Sequence, residues 1–405
     1  MEKLSLSEAV ECLCSNCGPV VETERVSLWN ASGRVLGENL ISEMDQPPFP
    51  RSPLDGYALK SEDTTGALEN QPVKLKVIDE IMAGSVGRHH VKNGEAVRIM
   101  TGAPIPPGAD CIIRQEDTDY GEKEVKIYKE LNQYDNYCFK GEDFKNQQLL
   151  LKKGVILSAP EIGIIASCGK PDVLVYKKPA VALITTGDET MMPGSPLKPG
   201  KIYDSNMFTL GCRLKELGVV PECIMHVDDH TARLVSVIQE ISAYTDLIIT
   251  TGGVSVGKKD IMHEVFKQAG VKTLFWKVSV KPGTPTLCGK YKNTLIISLS
   301  GNPFAALTNM ELLVKPVLSK MLQNRDLEPD RKTVPIDKGF EKGSRVTRYV
   351  RGYLNNGKVT IPANKHSSGI LSSMAGCNCL IEIPPGNYGV HKGDQVCVIP
   401  MAVGR

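Results

Sequence analysis

Between about residue 179 and residue 326, apolar runs of strand length alternate with helix-patterned segments, and this alternation constrains the fold more than any other feature. VALITT, TDLIIT and LIISLS read as strands. SNMFTLGCRLKELG, TARLVSVIQEISAY, DIMHEVFKQAG and FAALTNMELLVKPVL carry apolar residues at helical spacing. Strands apolar on both faces need cover on both faces, so the expectation is a parallel sheet between two helical layers. Ligands of such sheets bind beyond the carboxyl ends of the strands. Here three strands run into loops of one character: TTGDE (185–189), TTGGVSVGKKD (250–260) and SLSGNP (298–303). Gly187, Gly252, Gly253, Gly257 and Gly301 let backbone approach a ligand, and Ser255, Ser300 and Asp188 add hydrogen-bonding groups. Asn302 is placed to cap the next helix and Pro303 to begin it, leaving N–H groups aimed at an anion.

The flanks read differently. The first ~26 residues are expected to form one helix, opened by a capping box of Ser5 and Glu8. PPFPRSP is neither helix nor central strand, because proline lacks the N–H and restricts its neighbour. From about Val73 to Leu157 the pattern is β, with KLKVIDEI, EAVRIM, CIIRQED and EVKIYKEL punctuated by Gly and Pro. Short strands return after about Arg325. The fold class is therefore α/β plus β. The domains are drawn as 1–26 and 46–55 with 145–178 (linker and helix), 27–45 and 56–144 (β-rich lobe), 179–326 (α/β) and 327–405 (C-terminal β).

Charge decides which ligands are credible. The 405 residues carry a net charge of only +2, so no global field attracts nucleic acid or an acidic membrane, and any anion site must be local. No apolar run spans a bilayer and the N-terminus lacks a signal-peptide core, so a cytoplasmic protein is expected. Cys14 and Cys17 form a CxxC with no second pair at zinc spacing, so the twelve cysteines are expected to be scattered thiols. Asp188, Glu189, Asp228, Asp229 and Asp260 lie at or beside the glycine loops and suit a hydrated Mg²⁺ shared with phosphate. Lys277 and Lys281 stand four apart in FWKVSVKPGTP and are expected on one face of a strand. Arg345, Arg348 and Arg351, with Ser367 and Ser368, would bind a small oxyanion if their domain covers the crevice. His366 is read as structural, since no ligand spacing accompanies it. A Walker loop and H-E-x-x-H are absent from the sequence, which disfavours P-loop NTPases and zincins.

Taken in order, PRSPLDGYA (50–58), RIMTGAPIPPGADCIIRQED (98–117), KGED (140–143), TTGDE, TTGGVSVGKKD, WKVSVKPGTP (276–285) and SGNP resemble the MoeA family of molybdopterin molybdenumtransferases over nearly the whole chain. The chain also resembles the E domain of gephyrin-type proteins. The resemblance implies an elongated chain of several domains, with a three-layer, molybdopterin-binding α/β domain and separate β-rich lobes. It implies a homodimer with a composite active site, adenylylated molybdopterin and molybdate as substrates, and AMP release assisted by Mg²⁺. It also implies transient contacts with other proteins of cofactor biosynthesis.

Carried over by motif, Glu189, Asp228 and Asp260 resemble the metal-binding acids, with Asp228 taken from the Asp228–Asp229 pair by register alone. Lys277 and Lys281 resemble the paired lysines, and Lys281, Pro282, Arg351 and Ser368 the molybdate-binding set. Asp55, Thr101 and Asp143 match positions that reach the partner's crevice, Asp55 and Asp143 in catalytic and Thr101 in substrate-binding roles. Gly187, Asp188, Gly252, Gly253, Ser255, Gly257, Ser300, Gly301 and Asn302 match substrate-binding positions. Leu54, Thr284 and Ser300 depart from the family pattern, where Met, Lys and Pro are frequent. Two alternatives stay open at this point: an adenylyltransferase, which would leave both β-rich ends unexplained, and a non-enzymatic scaffold.

Overall fold

The computed structural model describes residues 3–254, 261–362, 366–386 and 388–401. The chain divides into two compact units, one of Met1–Glu24, Gly33–Val35 and Val175–Arg405, the other of Arg25–Ser32 and Leu36–Leu174. The first unit opens with α1 (Leu6–Ser15). The capping box is present: the Glu8 N–H donates to Ser5 Oγ at 3.3 Å and the Ser5 N–H to the Glu8 carboxylate at 2.8 Å. The helix is shorter than the ~26 residues expected from sequence. It stops at Asn16, ahead of Gly18-Pro19, and Thr23–Ser27 is already a strand. Ala9 and Leu13 are the buried face of what is only a three-turn helix.

The second unit is built on a five-stranded sheet of β1 (Gly56–Leu59), β2 (Val73–Ile81), β3 (Glu95–Ile99), β4 (Cys111–Arg114) and β5 (Glu124–Ile127), in the order β4-β1-β3-β2-β5. Only β2 and β3 run parallel. Strand alternation splits its apolar residues into two clusters, Tyr57, Leu59 and Ile113 on one face and Ala58, Val97 and Ile112 on the other. Leu54 packs beside the latter cluster, so the departure from methionine keeps an apolar contact. The helix α2 (Ala159–Ser167) completes the unit.

The α/β layer of the first unit follows: β6 (Val181–Thr186), α3 (Asn206–Glu216), β7 (Cys223–Val227), α4 (Thr231–Ile241), β8 (Leu247–Thr251), α5 (Ile261–Ala269), β9 (Lys272–Trp276), β10 (Val280–Lys281), β11 (Leu287–Tyr291) and β12 (Thr294–Leu299). Six strands form one sheet in the order β7-β6-β8-β12-β11-β9. Its first four strands are parallel, while β11 and β9 are antiparallel, so the sheet is mixed rather than wholly parallel. The cause is the short β11–β12 hairpin, which leaves no room for a crossover helix. Both faces are covered. Val181 and Leu183 join Leu210 and Leu214 of α3, while Ala182 and Ile184 join Leu234 and Ile238 of α4 and Phe266 of α5.

After β12 come α6 (Pro303–Asn309), a π-type turn (Met310–Val314) and α7 (Lys315–Leu322). The chain then builds β13 (Lys332–Pro335), β14 (Thr347–Asn355), β15 (Lys358–Thr360), β16 (Cys379–Ile383) and β17 (Gln395–Pro400). Their sheet runs β10-β14-β16-β17-β13, with β15 beside β14. The twelve cysteines are free, and burial pushes the Cys17 thiol up to about 11. Among the described residues no helix is long and apolar enough to cross a membrane.

Candidate functional site

The parallel neighbours β6, β8 and β12 end side by side, so their glycine loops share one sheet edge. Gly252 sits at φ +101°, and a Cβ there would lie 1.9 Å from the Thr186 carbonyl oxygen. Only glycine lets β8 turn this close to the end of β6. A Gly252→Ala variant is expected to lose ~2 kcal/mol or more of stability, because strained φ and a backbone clash combine. Denaturant unfolding checks this; a wild-type midpoint would contradict it.

A side chain not singled out in the sequence ties these loops together. Asn206, in the first turn of α3, donates to Thr251 Oγ1 at 3.1 Å and to the Gly301 carbonyl at 2.8 Å. Thr251 Oγ1 donates in turn to the Ser300 carbonyl at 3.0 Å. The only local signal was the Asp204-Ser205-Asn206 run ahead of a helix, where Asp204 accepts the Met207 N–H at 3.0 Å. Asn302 occupies the cap position of α6, but its side chain makes no cap bond; its N–H instead donates to Ser300 Oγ at 3.4 Å. A cavity of about 70 Å³ lies here, with Thr186, Glu189, Asp204, Asn206 and Gly301 in its wall.

Around this edge the acids separate by role. Thr186 Oγ1 donates to Asp229 at 2.6 Å, and the Asp229 N–H donates to the Asp188 carboxylate at 3.0 Å, locking two loops together. Asp228 stays 85 % exposed, 3.6 Å from His226 Nε2, and Glu189 is exposed. Ser255, Gly257 and Asp260 lie outside the described residues. Among the described residues no group of three or more His, Cys, Asp or Glu side chains is assembled for a metal ion.

Lys277 and Lys281 do not share a strand face. β9 ends at Trp276, Lys277 turns to φ +75°, and Lys281 belongs to β10 of the other sheet, where it pairs in register with Arg348. Four-residue spacing misled because the chain changes sheets between the two lysines. The Thr284 hydroxyl, where the family often has lysine, donates to the Val280 carbonyl and so braces this crossing.

Lys281 and Pro282 enter a second pocket of about 250 Å³, with Arg348, Arg351, His366 and Ser368. Arg351 is only 1 % exposed. Its Nη1 donates to the Ile370 carbonyl at 2.7 Å and to Ser373 Oγ, its Nη2 donates to the Ser367 carbonyl at 2.8 Å, and its guanidinium stacks 3.9 Å over Phe304. The Phe304 N–H reaches back to the Ser368 carbonyl at 3.0 Å. Buried nitrogens remain without partners at this pocket: Nε of Arg348 and of Arg351, and Nδ1 of His366. Burial pushes both guanidinium groups below their usual range, and burial followed by the Arg351 charge does the same to His366. His366, read as structural, is thus part of this wall, edge-on to Phe340 at 5.1 Å. No sequence spacing links residue 366 to residues 281 and 348, since sheet pairing brings them together.

In the other unit, Asp55 Oδ1 accepts both the N–H and the Oγ1 of Thr101, each at 2.7 Å. These bonds hold the Asp55 carboxyl below the usual carboxylate range. A depressed folded-state value means stabilisation that is complete above the unfolded value of about 4 and fades as pH falls through the folded one. Thr101→Val is therefore expected to raise the Asp55 midpoint, as read by carboxyl NMR titration; an unmoved midpoint would refute the role given to the hydroxyl. Asp143 is exposed, its N–H donating to the Gln46 carbonyl at 2.9 Å.

Comparison with known proteins adds an independent line. Family models described as "MoeA N-terminal region (domain I and II)", "Probable molybdopterin binding domain" and "MoeA C-terminal region (domain IV)" match residues 4–169, 182–320 and 333–401. The chain is 34% identical to a molybdopterin molybdenumtransferase of Staphylococcus epidermidis over 382 residues, 94% of this chain and 91% of that protein. A relative of the same name from Staphylococcus aureus is 34% identical over 377 residues, 92% of this chain and 90% of its own. Among solved structures, a molybdopterin biosynthesis MoeA protein from Pyrococcus horikoshii aligns with TM-score 0.82 at 28% identity, covering 98% of this chain and 100% of its own.

Proposed function

The chain belongs to the MoeA family of molybdopterin molybdenumtransferases and acts as a transferase in molybdenum cofactor biosynthesis, and from that premise we propose that it joins molybdate to the dithiolene of adenylylated molybdopterin and releases AMP with Mg²⁺. The observation that carries the oxyanion half is the second pocket. Lys281, Arg348 and Arg351 line it, and three buried nitrogens there lack partners. Lys281 and Arg348 are neighbours in register, so their mutual repulsion is relieved when an anion lies between them. A tetrahedral dianion takes charge-assisted hydrogen bonds from such groups, and Ser368 adds a hydroxyl. The sulfur ligands come from the pterin, so no protein thiolate is needed.

The glycine loops at the sheet edge suit the phosphorylated ligand, their backbone N–H groups acting as donors. Glu189 and Asp228 are exposed oxygen donors on loops joined through Asp229 and Asp188, which fits a Mg²⁺ that keeps waters and shares phosphate oxygens. When bound, Mg²⁺ supplies neutralisation of charge at the scissile phosphoanhydride. Asp260 completes the acidic set in this reading. Lys277 adds positive charge for the substrate. The working form is taken as a cytoplasmic homodimer in which Asp55, Thr101 and Asp143 serve the partner's crevice.

The test is AMP release from adenylylated molybdopterin, with and without molybdate and Mg²⁺. Release that needs both, and that falls about 10²-fold in Glu189→Gln, is expected. Tight binding without release would overturn the reading.

A further inference from the structure

We propose that Trp276 is a positioning residue for the Lys277 ammonium: its indole face is a preformed seat that holds the charge in place. The inference rests on the role given to Lys277 above. Trp276 closes β9, paired with Leu287 of β11. In a continuing strand, Lys277 would point to the opposite face from Trp276. Instead its backbone is left-handed, at φ +75°. That conformation is fixed from both sides: the Lys277 N–H donates to the Thr286 carbonyl at 2.9 Å, and the Lys277 carbonyl accepts the Leu4 N–H at 3.3 Å. A non-glycine residue keeps such strain where its surroundings over-determine it.

The turn folds the lysine back over its neighbour. Nζ lies 3.8 Å from the centroid of the Trp276 ring. The indole is itself immobilised, with the His263 ring of α5 meeting it edge-on at 4.5 Å and 90°, and the α4–α5 side of the core packed against it. A cation on an aromatic face is attracted by the ring quadrupole and keeps its full charge, unlike a cation neutralised by a carboxylate. The ammonium therefore remains available to an oxyanion. Because the lysine is already ordered, its rotamer entropy is lost on folding and not on substrate binding. Trp276 acts through Lys277, without a contact of its own to substrate.

Steady-state kinetics of molybdenum insertion by the full chain, combined in a double-mutant cycle, tests this. Trp276→Leu is expected to raise KM about 5- to 30-fold with kcat changed less, and Trp276→Phe, which keeps a π face, to recover most of the loss. In a Lys277→Met background, Trp276→Leu should add less than about twofold. The sequence holds two tryptophans and Trp29 is 95 % exposed, so Trp29→Phe leaves Trp276 as the sole tryptophan, which can be excited selectively over tyrosine. Its emission should change when Lys277→Met removes the ammonium, which reports the seating of the cation on the indole, while the double-mutant cycle reports the positioning role. Equal costs of Trp276→Leu in both backgrounds, with Lys277→Met itself impaired, would overturn the positioning role alone. Wild-type activity in Lys277→Met would remove the lysine from the reaction and overturn both readings.

Discussion

An Arg351→Ala variant is expected to lose about 3–5 kcal/mol of stability and to require at least about tenfold more molybdate. A purely ligand-reading arginine would show only the second effect. Three hydrogen bonds from Arg351 end on Ile370, Ser373 and Ser367, within the segment that carries Ser368. Truncation takes the donor from three acceptors on partly exposed residues, where water replaces part of each bond, so roughly 0.5–1.5 kcal/mol is lost for each. It also removes the stacking on Phe304, worth up to ~2 kcal/mol when desolvated. Arg351→Lys should recover the charge and little else, because one ammonium cannot reproduce the planar fork. Chemical denaturation combined with molybdate titration separates the two effects. A variant with normal stability and only a molybdate defect would show that the loop does not depend on this side chain.

The second large effect is expected at Glu311. Its side chain is fully buried in the π-type turn after α6 and takes two bonds from Arg213, at 2.6 Å and 3.0 Å, with Lys315 Nζ 3.9 Å away. Arg213 also donates to the Met401 carbonyl, joining α3 to the residue that follows β17. Burial pushes the Lys315 ammonium below its usual range, and the Glu311 charge offsets part of that cost. Glu311→Leu leaves buried Lys315 without its carboxylate and Arg213 with Glu216 alone, at 2.8 Å, so a loss of about 3–5 kcal/mol is expected. Adding Arg213→Met should restore part of it, since an apolar pair of similar volume avoids the desolvation penalty. The measurement is denaturant unfolding of the single and double variants. A double variant no better than Glu311→Leu would mean that packing, and not unpaired charge, sets the cost.

Much of this molecule was legible from local pattern. Val181–Thr186, Leu247–Thr251 and Thr294–Leu299 are buried along their whole length, and that is why their sequences read as strands covered on both faces. Glycine at 187 and 252 marked two of the loops, because backbone geometry there tolerates little else. The order of the motifs identified the family without any coordinates.

What only the tertiary structure decided were pairings across long stretches of chain. Lys281 lies beside Arg348 because β10 leaves one sheet for another, and His366 and Arg351 join them through strand registers and loop bonds that no residue spacing encodes. The same holds for Asn206, whose amide links loops 45 and 95 residues away. Sequence periodicity reports which face of an element is buried, over a few residues at a time. Which buried faces meet, and which donors are already spent on carbonyls rather than left for a ligand, depends on contacts between distant segments. Local patterning therefore determined the elements and the family of this protein, while the division of labour among its charged side chains emerged only once the chain had packed.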